Sequence, residues 1–238
     1  MVLEYMKRSR EIFILILMLI TLISLNYSFF DKKLEGFVIG EGYVEVTRII
    51  DGDTIEVDDN ETIRLLGINT PERGEKYYKE AKEFLEMVLM NKTIKLEFGK
   101  DKKDKYGRTL AYIFRDSSNV NKELVDEGYA NYYFPSGKDM YYGDFRKAWE
   151  HCLTNNKFLC EKSSDECSQC IEIKDSSIIN SCSFSCNITN WQIKGEGRKK
   201  YEFKEALNPH EEAEFNSTGF EGSLFLRDEE GKLVVWEK

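Results

Sequence analysis

Hydrophobic and polar positions change period several times along this chain, and each change marks an element. From Ile12 to Phe30 nineteen residues carry no charge, preceded by Lys7, Arg8 and Arg10. At helical rise that run nearly matches a bilayer core, which predicts a transmembrane helix. A cleavable signal peptide is the other reading, but no small-x-small cleavage site follows the apolar run. Residues 31–41 read as a short charged linker. Val44, Val46 and Ile49–Ile50 then begin a series of short alternating runs. Thr62 to Ile68 alternates as a strand should, with Ile63 and Leu65 on one face and Arg64 and Leu66 on the other. Glu75 to Met90 changes to the helical period, with Ala81, Phe84, Leu85, Val88 and Leu89 forming its apolar stripe. Ile94–Phe98 and Thr109–Arg115 alternate again, and the intervening GKDKKDK reads as a solvated loop. Asn121–Glu127 predicts a short helix stopped by Gly128, and Ala148 with Trp149 belong to a last helix.

After about residue 163 the pattern breaks into short β-like runs: Ile171–Lys174, Trp191–Lys194, Tyr201–Phe203, Ala213–Phe215, Leu224–Arg227 and Leu233–Trp236. Turn signals at Asn208-Pro209 and Glu230-Gly231 separate them, which predicts a small β-sandwich. The chain is therefore mainly β with α. The expected domains are residues 1–30, 31–41, 42–162 and 166–238, respectively a cytoplasmic stub with its anchor, a linker, a five-stranded barrel of oligonucleotide-binding (OB) topology with three helices, and the sandwich.

Composition refines this picture in two places. The formal net charge is −9 over 238 residues, which argues against broad non-specific binding of polyanions and for a local basic site on an acidic body. All six cysteines, Cys152, Cys160, Cys167, Cys170, Cys182 and Cys186, lie in the last ninety or so residues. Paired as disulfides they place the body outside the cell. The spacings Cys167-x2-Cys170 and Cys182-x3-Cys186 leave zinc ligation as the alternative.

The chemistry concentrates in IDGDTIEVDDNETIRLLGINTPE, residues 50–72. Asp53 leaves a tight turn at the mouth of a strand, and Asn69-Thr70-Pro71-Glu72 closes the next one. Two short oxygen-bearing side chains with a backbone carbonyl beside them suit a hard divalent cation. A longer carboxylate beyond them can reach a water, and an arginine is the natural bidentate partner of a phosphate. The set describes metal-assisted attack of water on a phosphate ester.

These residues, followed by DKYGRTLAYIF (104–114) and VNKELVDEGYA (120–130), resemble the staphylococcal nuclease (thermonuclease) family over roughly residues 42–160. The resemblance implies Ca2+ held by Asp53, Asn69 and the Thr70 carbonyl, with Glu72 as general base. It implies Arg64 and Arg108 as phosphate ligands, flanked by Lys105 and Tyr106. It also implies DNA and RNA as substrates, single strands preferred, cut to leave 3′-phosphate ends. The family usually has aspartate where this chain has Asn69, which bears on metal affinity and selectivity. Residues 166–238 resemble a lamin-tail-like, immunoglobulin-like domain, on a tryptophan, a few glycines and turn residues; its partner is open, and nothing points to an oligomer. Two functions follow: a membrane-tethered, outward-facing nuclease, secreted instead if the leader is cleaved, or a scaffold that keeps the nuclease fold for binding nucleic acid or protein.

Overall fold

Five strands close into a barrel because each alternates one apolar face inward. They are β1 (Glu41–Asp51), β2 (Thr54–Val57), β3 (Glu61–Leu65), β5 (Thr93–Lys103) and β6 (Thr109–Arg115). The order is β3-β2-β1-β5-β6, with the two-residue β7 (Ser118–Asn119) added beside β6, and a parallel β3–β6 pairing, Ile63 opposite Thr109, closes the barrel. Val46, Ile55, Ile63, Leu96, Ala111 and Ile113 fill the inside. The computed structural model describes residues 14, 16–18, 21, 41–220 and 222–237. The proposed membrane span at 12–30 and the linker after it therefore fall largely outside the described residues. Among those described, no helix is long and apolar enough to cross a membrane.

Three helices cover the barrel: α1 (Tyr78–Leu89), α2 (Val120–Asp126) and α3 (Tyr142–Asn155). Helix α1 buries Ala81, Leu85, Val88 and Leu89, the stripe its periodicity predicts. It starts three residues later than the pattern suggests. Tyr77 is left-handed at φ 67° and its hydroxyl donates to Glu161 Oε2 at 2.7 Å, so the turn before α1 is set by a tertiary contact. The Asn119 side chain caps α2 by accepting from the Lys122 N–H, and Gly128 follows it at φ 81°. The lysine-rich segment after Phe98 is strand rather than loop. Strand β5 continues to Lys103, which pairs with Thr109 across an irregular register.

Two pieces of short strand, β4 (Ile68–Asn69) and β8 (Asn131–Tyr132), pair antiparallel beside the barrel. Beyond residue 160 the strands are all antiparallel and form three small sheets. One is β15-β10-β9, from Glu212–Glu214, Ser177–Asn180 and Ile171–Lys174. Another is β11 (Cys186–Asn187) with β14 (Ala206–Leu207). The largest is β13-β12-β16-β17, from Lys200–Glu202, Gln192–Lys194, Leu224–Arg227 and Leu233–Glu237. They surround a second core holding Ile178, Trp191, Ile193 and Phe203. Strand β16 serves both cores. Adjacent residues of a strand point to opposite faces, so Phe225 packs into the first core and Leu226 into the second. Tyr43–Lys238 accordingly forms one compact unit.

All six cysteines are oxidised, as Cys152–Cys160, Cys167–Cys186 and Cys170–Cys182. The only trio of Cys, His, Asp or Glu among the described residues close enough to share an ion is Cys167, Cys182 and Cys186. Its sulfurs are spent in disulfides, so the zinc alternative falls. Cys170–Cys182 is nested inside Cys167–Cys186, closing 12 residues within a loop of 19, and a single loop of this length contributes roughly 3 kcal/mol to stability.

Candidate active site

The turn between β1 and β2 brings Asp53 into position. Asp51 Oδ1 accepts the Asp53 N–H at 3.2 Å. Gly52 packs so closely that a Cβ there would lie 2.8 Å from Ala81 Cβ and 2.9 Å from Thr70 Oγ1. That close approach explains a glycine at the turn. Asp53 is buried, and its Oδ2 accepts the Thr70 N–H at 3.1 Å. The segment carrying Asn69 is placed by Asn121, a fully buried side chain at the start of α2. Asn121 donates to the Leu66 carbonyl at 2.8 Å and to the Ala111 carbonyl at 3.2 Å, and accepts the Ile113 N–H at 2.9 Å. It thus ties the β3–β4 turn to β6, a role the sequence reading did not assign.

Arg64 lies at the centre. Its Nη2 is 2.8 Å from Asp53 Oδ2 and 3.4 Å from Asn69 Oδ1, and donates to the Ile68 carbonyl at 3.1 Å. Its Nη1 donates to the Leu65 carbonyl at 2.9 Å and to the Asp53 carbonyl at 3.4 Å. With 8% of its side chain exposed, Arg64 is held inside the cluster. Asp53, Asn69, Thr70 and Arg64 are therefore brought together as the sequence suggested.

A second carboxylate belongs to this cluster and was not singled out from sequence. Asp51 is pushed up to about 6, first by burial and then by the Asp53 charge beside it. Its position two residues before Asp53 was the available signal. Asp53 and Asn69 present side-chain oxygens to one guanidinium nitrogen, with Asp51 beside Asp53; such an oxygen set fits a hard cation that would complete its shell with water.

Glu72 is half-exposed just past Pro71, and the chain there folds back on itself. The Glu72 N–H donates to Glu75 Oε2 and the Glu75 N–H to the Glu72 carbonyl, each at 2.8 Å. Arg108 lies before β6, gripped by Asp104: Nε and Nη2 each stand 2.7 Å from Oδ2. Dehydration tends to raise the Asp104 carboxyl, but Arg108 and the N–H groups of Tyr106 and Arg108 outweigh it and hold it below its ordinary value. Tyr106 is exposed and not part of the barrel, with Lys105 Nζ 5.1 Å and Arg108 Cζ 5.5 Å from its ring centroid. Tyr132 is fully buried with its hydroxyl against Ser223, so it packs in the core and is not offered to a substrate. Tyr141 donates to Glu97 at 2.7 Å and packs at the barrel end.

What spacing could not reveal is the second half of the chain touching this site. Asn69 Nδ2 donates to the carbonyls of Glu196 and Gly197 at 3.3 and 3.2 Å. Arg198 Nε lies 2.7 Å from Glu72 Oε1. Lys194 and Lys200 both pair with Glu75, at 3.1 and 3.2 Å. A cavity of about 250 Å3 lies alongside, lined by Asn69, Thr70, Glu75, Asn131, Lys194 and Arg227 among others. The amide at position 69 acquires a reason here. Its Oδ1 faces Arg64 while its NH2 satisfies two carbonyls, and a carboxylate would set oxygen against oxygen.

Glu75 also carries a pH signature. Burial raises its pKa, but Lys194, the Glu72 N–H and Lys200 outweigh burial and bring it below its ordinary 4.5. A depressed carboxyl contributes stability above its unfolded pKa and loses it as pH falls through the folded value. The stability advantage of the wild type over Glu75→Gln should thus be full at pH 6 and shrink as pH drops below about 4.5. Denaturation midpoints of the two proteins across that range test this; a gap that is constant down to pH 3 contradicts it.

Residues 62–158 match the family described as Staphylococcal nuclease homologue. The chain is 40% identical over 119 residues to the thermonuclease of Staphylococcus intermedius, covering 46% of this chain and 70% of that one. It is also 40% identical over 105 residues to the thermonuclease of Staphylococcus hyicus, covering 40% and 62%. An uncharacterized protein of Methanocaldococcus jannaschii is 39% identical over 159 residues, covering 53% and 74%. With the barrel, the acid-and-arginine cluster and this extent of identity in hand, the chain belongs to the staphylococcal nuclease family and is a nuclease at the level of that family.

Proposed function

We propose that the protein is a calcium-dependent endonuclease that hydrolyses phosphodiester bonds of DNA and RNA, prefers single strands and leaves 3′-phosphate ends. The observation that carries this reading is the meeting of Asp53 Oδ2 and Asn69 Oδ1 on one nitrogen of Arg64. Asp53, Asn69 and the Thr70 carbonyl would hold the cation, which supplies positive charge to a phosphodiester oxygen when bound. Glu72 takes a proton from a water that attacks phosphorus in line, the bond to the 5′ oxygen opposite breaks, and that oxygen leaves as a 5′-hydroxyl after taking a proton from solvent. Arg64 turns from Asp53 to the phosphate, and Arg108 offsets charge gathering on the equatorial oxygens. Lys105 and Tyr106, exposed beside Arg108, flank the strand. Recognition through phosphate-directed cations suits weak sequence preference.

In the same reading the apolar segment 12–30 anchors the chain in the membrane with its body outside the cell. Three disulfides support an oxidising compartment. The strands after residue 166 are taken as a lamin-tail-like sandwich. The test is hydrolysis of single-stranded DNA with calcium and with chelator. Cleavage is expected with calcium and none with chelator. A folded protein that fails to cleave whichever divalent cation is supplied would instead be a binding scaffold.

A further inference from the structure

We infer that Arg198, carried by the β12–β13 hairpin of the second half of the chain, is a third phosphate-binding arginine of the active site, so that the substrate groove is completed by both halves. The inference rests on the nuclease reading of Asp53, Glu72 and their neighbours, and adds a residue that reading does not contain.

The hairpin is built to be held in place. Its strands pair Lys194 with Lys200. Between them the buried Glu196 accepts the Ser223 N–H at 2.9 Å, and Gly222, at φ 65°, lies so close that any Cβ would overlap the Glu196 carboxylate. Asn69 Nδ2 fastens the Glu196 and Gly197 carbonyls to the site. Lys194 and Lys200 clasp Glu75. The base of the hairpin is thus fixed by buried contacts, and the next residue, Arg198, emerges beside Glu72 with 57% of its side chain exposed.

Charge points to the ligand. Residues 194–200, KGEGRKK, carry four cations against one carboxylate in a chain of net charge −9. The two arginines the family pattern supplies are both engaged by acids, Arg64 by Asp53 in a buried pair and Arg108 by Asp104 through two nitrogens. Among the described residues Arg198 pairs with the half-exposed Glu72 alone, and solvent-exposed ion pairs are weak. If Glu72 acts through one water, each hydrogen bond spans about 3 Å, so the attacked phosphate lies within a side chain's reach of a guanidinium already 2.7 Å from that carboxylate. An arginine prefers the bidentate geometry of a phosphate. Moving Arg198 from Glu72 to the phosphate both binds the strand and frees the base.

The experiment uses the full chain in mild detergent, with Arg198→Ala and Arg198→Lys beside wild type. Binding of a fluorescent oligothymidylate is measured in chelator over a range of salt, and cleavage is measured with calcium. The expected result for Arg198→Ala is about tenfold weaker binding, a salt slope smaller by about 0.7 because one phosphate contact is lost from a single strand, and a rise in KM larger than the fall in kcat. Arg198→Lys should recover the salt slope but not all of the affinity. An unchanged thermal midpoint shows that the fold is intact. Tighter binding or faster cleavage by Arg198→Ala would mean that the hairpin obstructs the site and would overturn the inference, as would no change in either. A wild type that binds through Arg198 but fails to cleave with calcium or any other divalent cation would sink the hydrolase reading and leave the placement of Arg198 standing.

Discussion

Glutamine in place of Glu72 lowers the single-turnover rate of single-stranded DNA cleavage by about 10²–10⁴-fold, the usual contribution of a positioned general base. The amide keeps the shape and hydrogen-bonding reach of the carboxylate but cannot accept the proton of the attacking water. The substitution disturbs little else. Glu72 is half-exposed with its backbone fixed by the reciprocal bonds to Glu75, and its one ion pair among the described residues, with Arg198, is solvent-accessible on both sides. An exposed pair contributes roughly 0–1 kcal/mol, so the thermal midpoint should hardly move. Oligonucleotide binding should be kept or strengthened, because Arg198 loses its carboxylate partner. A variant within threefold of wild type in cleavage would remove Glu72 from the mechanism and leave the base unassigned.

Where local pattern decides structure, the sequence was sufficient. Strand β6 spans Thr109–Arg115 and β16 spans Leu224–Arg227, as their alternation predicts. The Asp51–Thr54 turn and the Asn69–Glu72 segment were visible because a short turn and a proline fix them within a few residues. Errors came where partners lie far along the chain. Helix α1 begins at Tyr78 because Tyr77 reaches Glu161, 84 residues away. The Gly99–Lys103 stretch stays extended as β5 runs on to its Lys103–Thr109 pairing with β6, although its polar residues carry no alternation to show it. Strand β10, Ser177–Asn180, gives no period-two signal because Ser177, Ile178 and Asn180 are buried on both faces with Ile179 partly so. The site divides the same way. Asp53, Arg64 and Asn69 are joined by one hairpin and could be anticipated. The contacts of Asn69 with Glu196 and Gly197 span 127 and 128 residues and depend on how the two halves pack. Asn69 looked like a weakened ligand because its second set of partners could not be seen in the sequence.

That packing makes Phe225 the residue whose loss should be felt furthest. Its ring is fully buried, 5.3 Å from the centroid of Trp149 and 6.4 Å from that of Tyr132, both on the barrel side of the molecule. Its backbone pairs with Lys194 at the root of the hairpin that carries Arg198. Phe225→Ala removes a buried aromatic and leaves a cavity between rings that meet edge to face, at a cost of about 3–5 kcal/mol. For a unit of this size that lowers the midpoint by on the order of 10 °C. Because Leu226, the next residue on the same strand, packs into the other core, neither core can loosen at β16 without disturbing its neighbour. Wild type and Phe225→Ala should therefore each melt in one cooperative transition with disulfides intact. The variant should also bind oligonucleotide more weakly, in the direction of Arg198→Ala, since the hairpin loses its footing. Calorimetry decides the matter: two separate transitions, with Phe225→Ala shifting only the later strands, would show that the halves fold independently and that the hairpin is docked on the site without sharing its stability.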